Sequence, residues 1–222
     1  MLAEAIAPIC HDNEAWLLRE CPNVLNRAVE LENDAIEVVA ACVNTPDRVG
    51  AYQRSALHFF AYHVLLPGSY SIVLNLLAGG LPSCFRELRF MTEMAAWCCL
   101  ADSEFADVQG SKDQAAFHAK LDALETHYKR AGSVVKRFDE HAGLEGTALA
   151  LWKELSEELH GKRYVERLVK SVAQRQNMPS YGLVIPYPYV PEDKPDLLEL
   201  REYMERFREI VRALPFPTAP PQ

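Results

Sequence analysis

Apolar residues recur at three- and four-residue spacing along almost every long segment, and period-two alternation is confined to the stretch around Tyr181 to Tyr189. The pattern predicts an all-α protein, an up-and-down helical bundle. Glu4 to Arg19 reads as a first helix, with a late start because of Pro8. Pro22 opens a second, whose inward positions Leu25, Ala28, Ala35, Val39 and Val43 carry it to Asn44. A third helix is expected from Pro46, with Tyr52, Ala56, Phe59, Phe60 and Leu66 on its apolar stripe and Pro67-Gly68 as its break. A short fourth helix follows from Ser69 to Ala78. Gly79-Gly80 then supplies a left-handed stop, and Pro82-Ser83 starts a fifth helix through Leu100, the most apolar of all and the expected centre of the bundle.

Downstream, Ser111 with Gln114 forms a capping-box signature for one long helix towards Phe138, with Gly132 as its bend. Thr147 is placed to cap a helix through Leu149, Trp152, Leu155 and Leu159 that Gly161 ends, and a basic helix spans Arg163 to Gln176. Residues 178–195 carry five prolines with Tyr181, Tyr187 and Tyr189 between them, which forces an extended strap. A last helix runs from Asp196 to Leu214 before a proline-rich tail. The expected partition is a bundle over residues 1–177 and a strap, helix and tail over residues 178–222.

Composition alters this picture little. The 222 residues are 49% hydrophobic and 24% charged, which suits a globular fold and excludes disorder, collagen and coiled-coil rods. Twenty-three basic against thirty-one acidic residues give a net charge of −8, which disfavours coating of duplex nucleic acid by bulk charge. The charge is uneven, because the first lysine is Lys112 and residues 1–102 hold only six of the cations. The start of the chain lacks the cationic, long apolar pattern of a signal peptide, and the apolar run from Phe59 to Leu81 is interrupted by His63, Pro67, Gly68 and Asn75. The expectation is a cytoplasmic protein without a membrane span. None of the six cysteines has zinc spacing, so most read as buried thiols, with a Cys10–Cys21 disulfide left open.

Chemistry is concentrated in three places. Arg89 and Glu93 are four apart on the most apolar helix, with Arg86 one turn earlier, so the charges must be paired, either as a structural ion pair or as a polar pocket for a ligand or phosphate. Ser156 and His160 end a later helix, where the dipole alone favours a cationic imidazole and where a functional pocket is the alternative. Arg163, Arg167 and Lys170 form one stripe, a solvated face or a phosphate-contacting one. Glu157 and His160 make the one Glu-x-x-His pair, half of what a di-iron bundle uses, so neither metal nor cofactor is expected. Phosphate loop, dinucleotide fingerprint and nucleophile elbow are absent.

Two stretches together, Asn75 to Arg89 with Glu93 and Leu151 to His160, resemble uncharacterised archaeal members of the HEPN superfamily. The resemblance covers about 50 to 60 residues and implies a helical bundle, frequently a homodimer, linked to RNA metabolism, toxin–antitoxin pairs and antiviral defence. Active members of that superfamily cleave RNA with an arginine and a histidine that have four to six residues between them. This sequence departs from that: Arg54 to His58 and Arg137 to His141 have three intervening residues, and no arginine precedes His160 at the required distance.

The expectation is therefore a non-catalytic or diverged module that binds RNA or a protein partner, with Arg86, Arg89, Glu93, Ser156 and His160 in one cluster. Two alternatives stand beside it. One is a structural protein whose strap and last helix dock on a second copy, and the other an RNase with a non-standard Arg/His pair. A metal-dependent bundle around Glu93, Glu157 and His160 is a further, more distant reading.

Overall fold

In the computed structural model the described residues are 2–110, 115–160, 165 and 188–216, with side chains described from residue 6 onward other than that of His160. Among them the protein is all-α, nine packed helices with no strand: α1 (Leu2–Glu20), α2 (Pro22–Val43), α3 (Arg48–Arg54), α4 (Ala56–Leu77), α5 (Leu81–Glu104), α6 (Ala116–His127), α7 (Ala131–His141), α8 (Thr147–His160) and α9 (Lys194–Ala213).

The central place of α5 follows from its composition. Phe85, Leu88, Met91, Ala95, Ala96, Cys98, Cys99 and Leu100 are buried around much of its circumference, and it packs against α4, α6, α7, α8 and α9. Each large apolar side chain removed from water there contributes about 1.5–3 kcal/mol. The small residues do a different job, since they let neighbouring backbones come close. At Gly68 of α4, a β-carbon would lie 2.6 Å from the Met91 sulfur of α5, so the α4–α5 approach needs that glycine.

Several boundaries differ from the sequence pattern. The expected third helix breaks at Ser55, whose extended backbone ends α3 and whose hydroxyl caps α4. Pro67-Gly68 in turn breaks nothing, because α4 widens into a π turn over Ala61–Leu65 immediately before the proline. That local widening accommodates the missing N–H and the ring's clash with the preceding turn. By length and composition, α4 is the one helix among the described residues able to cross a membrane, and here it packs against α2 and α5. Pro8 lies inside α1, which starts at Leu2, earlier than expected.

The long helix expected from Ser111 to Phe138 is two helices. Tyr128 and Arg130 are extended and separate α6 from α7, and Gly132 sits within α7, where an added β-carbon would lie 3.2 Å from the Trp152 ring. Gly79, at φ 73°, provides the left-handed stop as expected, with the Gly80 N–H donating to the Asn75 carbonyl at 2.7 Å.

The capping box at Ser111, the basic helix with Arg163, Arg167 and Lys170, and strap residues 178–187 lie outside the described residues. The end of the strap is described, and it docks on its own chain. Tyr189 is buried, its hydroxyl donates to the Leu76 carbonyl at 2.8 Å, and its backbone N–H donates to Asn13 at 2.9 Å. Beyond it α9 packs on α2, α5 and α8 of the same chain.

Candidate functional site

Of the residues singled out above, the structure brings three together at the α5–α8 seam. The Arg89 Nε donates to the Ser156 hydroxyl at 3.0 Å, and its Nη2 lies 3.3 Å from the Glu93 carboxylate. Trp152, which the sequence pattern assigned only to packing, completes the group. Its indole N–H donates to Glu93 at 3.1 Å, its carbonyl accepts from Ser156 at 2.7 Å, and its ring lies under the Arg89 guanidinium at 5.6 Å. The side chains of Arg89 and Glu93 are about a quarter exposed, so the pair spans a seam and is not sealed inside the core. Arg86, expected in the same cluster, is exposed to solvent. The side chain of His160 lies outside the described residues.

A denser polar centre, unanticipated from the sequence, joins α3, α4, α5 and α6. The Asp102 carboxylate accepts from the Ser55 hydroxyl at 2.7 Å, from the Ala56 and Leu57 backbone N–H groups at 3.0 and 2.9 Å, and from the Lys120 ammonium at 3.0 Å. It thereby caps α4 from α5 across the core. Lys120 is buried and donates a second bond, to the Arg54 carbonyl at 2.8 Å, so its charge is both neutralised and hydrogen-bonded. One signal was legible: Lys120 falls between Phe117, Leu121 and Leu124 on the inward stripe of α6, where a lysine needs a partner.

His58 stands next to this centre. It is buried, neither ring nitrogen has a hydrogen-bond partner among the described residues, and burial holds its pKa below the ordinary histidine value despite the opposing Asp102 charge. A neutral imidazole is the consequence. Asp139 of α7 repeats the capping device, accepting from the N–H groups of Gly146, Ala148 and Leu149 at the start of α8. On the opposite side of the bundle the buried Arg208 of α9 reaches both Asp34 oxygens, at 2.6 and 3.3 Å, and bonds Glu30 of α2.

All six cysteines are free, and five are buried. Burial pushes the Cys42 and Cys99 thiols up to about 11, with the Asp102 charge adding at Cys99, and pushes up Cys84 and Cys98 as well. These four are protonated at neutral pH and inert as nucleophiles. Among the described residues no group of three or more His, Cys, Asp or Glu side chains could hold a metal ion.

The polar centres therefore do two kinds of work, capping helix ends across the core and tying neighbouring helices together. Comparison with protein-family models, with curated proteins and with solved structures gives no match for this chain.

Proposed function

We propose that the protein is a non-catalytic helical association module that works as a homodimer through α2, within an up-and-down bundle of the HEPN type. One observation carries the reading: Val29, Ile36 and Val43 are exposed on one stripe of α2, and their spacing of seven residues is symmetric about Ile36. A two-fold axis requires such symmetry, since an interface between identical copies must be self-complementary. In an antiparallel pair centred on Ile36, Val29 meets the partner's Val43, and Glu32 meets the small exposed side chain of the partner's Ala40. No like charges are opposed in that register, and the seven-residue repeat suits knobs-into-holes packing.

The non-catalytic part of the reading rests on Arg89, the arginine best placed to steady a phosphate from inside the bundle. Two of its nitrogens are committed to Ser156 and Glu93. The expected RNA contact rests on the stripe of Arg163, Arg167 and Lys170, which lies outside the described residues.

A single helix pair buries less than about 1,200 Å2, so the dimer should dissociate in the micromolar range. Sedimentation equilibrium should show a concentration-dependent dimer for the wild type and a monomer for Ile36→Glu, which sets two carboxylates face to face on the axis. Because Ile36 is about half exposed, the variant should keep its helical circular dichroism. A wild type that is monomeric at about 100 μM, or an Ile36→Glu variant that still dimerises, overturns the association reading. Cleavage of mixed RNA by the same purified protein overturns the non-catalytic one.

A further inference from the structure

Between Arg54 and Arg86 the chain carries no Asp, Glu, Lys or Arg, and this charge-free stretch includes the whole of α4. The outer side of α4 is nonetheless open to solvent. Tyr70 and Leu74 are 54% and 53% exposed, with Leu66, Val73 and Leu77 half-buried around them. We propose that this face is covered by the same face of a second copy, so that α4 packs on α4 across the two-fold axis that passes Ile36. The inference rests on the α2 reading and extends its interface from one helix pair to two.

The two surfaces are neighbours. α9 holds one flank of α2 through Asp34, and Ile36, two residues on, is turned about 200° from it, onto the other flank. α4 also packs on α2, and it takes that second flank. On α4 itself Gly68 faces Met91 of α5, and the buried Ser69, about 100° on, marks the side towards α2. Val73, Leu66 and Tyr70 lie further round in the same sense, on the solvent side of the α2 contact. The levels match as well. Burial and, next, the nearby Cys42 raise the pKa of Tyr62, which sets the end of α2 against the start of α4. Asn13, on the helix that leads into α2, donates to the Leu77 carbonyl at the far end at 2.9 Å, so α2 and α4 are antiparallel. Ile36 lies about 9 Å before Cys42, and the same length of α4 from Tyr62 reaches Gly68, less than one turn from Tyr70.

A two-fold axis that crosses the antiparallel α2 pair at right angles, between the copies, keeps both α4 helices on one side of that pair, facing each other. Tyr70 then falls near the axis, opposite the partner's Tyr70. Nothing on this face repels its own image, because the whole stretch is uncharged. Area argues the same way. One helix pair buries less than the roughly 1,200–2,000 Å2 of a stable interface, and a second pair makes up the difference. Phosphates, whether of anionic lipid or of RNA, would find no Lys or Arg between Arg54 and Arg86, and Glu32 and Glu37 of the neighbouring α2 would repel them.

The test is sedimentation equilibrium of the full chain carrying Tyr70→Glu or Tyr70→Lys, each of which sets like charges together near the axis. Each should raise the dimer dissociation constant about tenfold or more, and an equimolar mixture of the two should recover most of the loss through opposite charges. Leu74→Ser, which adds no charge, should weaken the dimer about threefold or more. Both positions are over half exposed, so the helical circular dichroism should be unchanged. Wild-type dissociation constants in these variants, or no recovery in the mixture, overturn the inference, and an Ile36→Glu variant that is monomeric in the same series shows that the α2 reading survives it. Conversely, an Ile36→Glu variant that still dimerises beside a monomeric Tyr70→Glu removes α2 and leaves the α4 contact standing. A wild type that is monomeric at about 100 μM, or that floats with neutral phosphatidylcholine vesicles when Tyr70→Glu does not, also overturns it.

Discussion

Removing the Asp102 carboxylate should be among the most damaging single changes the fold can suffer. The side chain is 17% exposed and its partner Lys120 is 9% exposed, so the ion pair sits almost wholly out of water. In Asp102→Ala the Lys120 ammonium keeps one described acceptor, the Arg54 carbonyl, and a buried charge that loses its counter-ion costs about 3–5 kcal/mol. That is about a fifth or more of the roughly 5–15 kcal/mol that holds a domain together. At about 2–4 °C per kcal/mol for a chain of this size, the midpoint should fall by ~6–20 °C. The double variant Asp102→Ala/Lys120→Met separates the contributions. With the ammonium gone, only the cap on α4 is missing, a loss of about 1–2 kcal/mol. The double variant should therefore be more stable than Asp102→Ala alone, measured by urea denaturation at pH 7. If the two substitutions are additive, or if Asp102→Ala costs under about 1 kcal/mol, Lys120 is not the buried, dependent charge described above.

Three further outcomes are expected. Asp139→Ala leaves three N–H groups at the start of α8 without their acceptor and should cost about 2 kcal/mol in urea denaturation, the upper end for a helix cap. Arg208→Met removes the buried partner of Asp34 and Glu30, which keep Arg212 at 3.5 Å and Arg27 at 2.5 Å and are 20% and 46% exposed. It should cost about 2–3 kcal/mol, less than a fully buried pair would, with the loss largest at low salt. For His58 the folded pKa lies below the unfolded value near 6.5, so between the two the unfolded chain binds the extra proton and stability falls as the pH drops. Thermal melts should fall more steeply below about pH 6.5 for the wild type than for His58→Phe, and parallel curves would refute the buried neutral imidazole.

The helices were legible because burial is repetitive. The i, i+3, i+4 pattern of α5, with Cys84, Phe85, Leu88, Met91 and Ala95 inside, is a property of one segment and needs no knowledge of its neighbours. The boundaries that misled were those where a distant contact decides. Ser55 reads as one more polar residue in a long amphipathic run until Asp102, forty-seven positions later, accepts from its hydroxyl and from the two N–H groups that follow. Pro67 reads as a break because nothing local announces the π turn that absorbs it.

The same distinction explains the polar centres. Arg89 and Glu93 could be paired on paper because both lie on one helix, one turn apart. Trp152 and Ser156 share a turn of α8, yet only the crossing of α8 over α5 brings their polar atoms to that pair. Asp102 with Lys120, and Asp34 with Arg208, are separated by 18 and 174 positions, and in each case the clue is a charge on an inward stripe. Such a charge announces that a partner must exist, since its burial alone would be prohibitive, but not which one. His58 carries the same clue without the answer. It lies among Leu57, Phe60 and Ala61 on an inward stripe, and its ring nitrogens have no hydrogen-bond partner among the described residues. Where Lys120 and Arg208 find their partners inside the fold, the His58 ring nitrogens have none among the described residues, and the imidazole stays neutral instead.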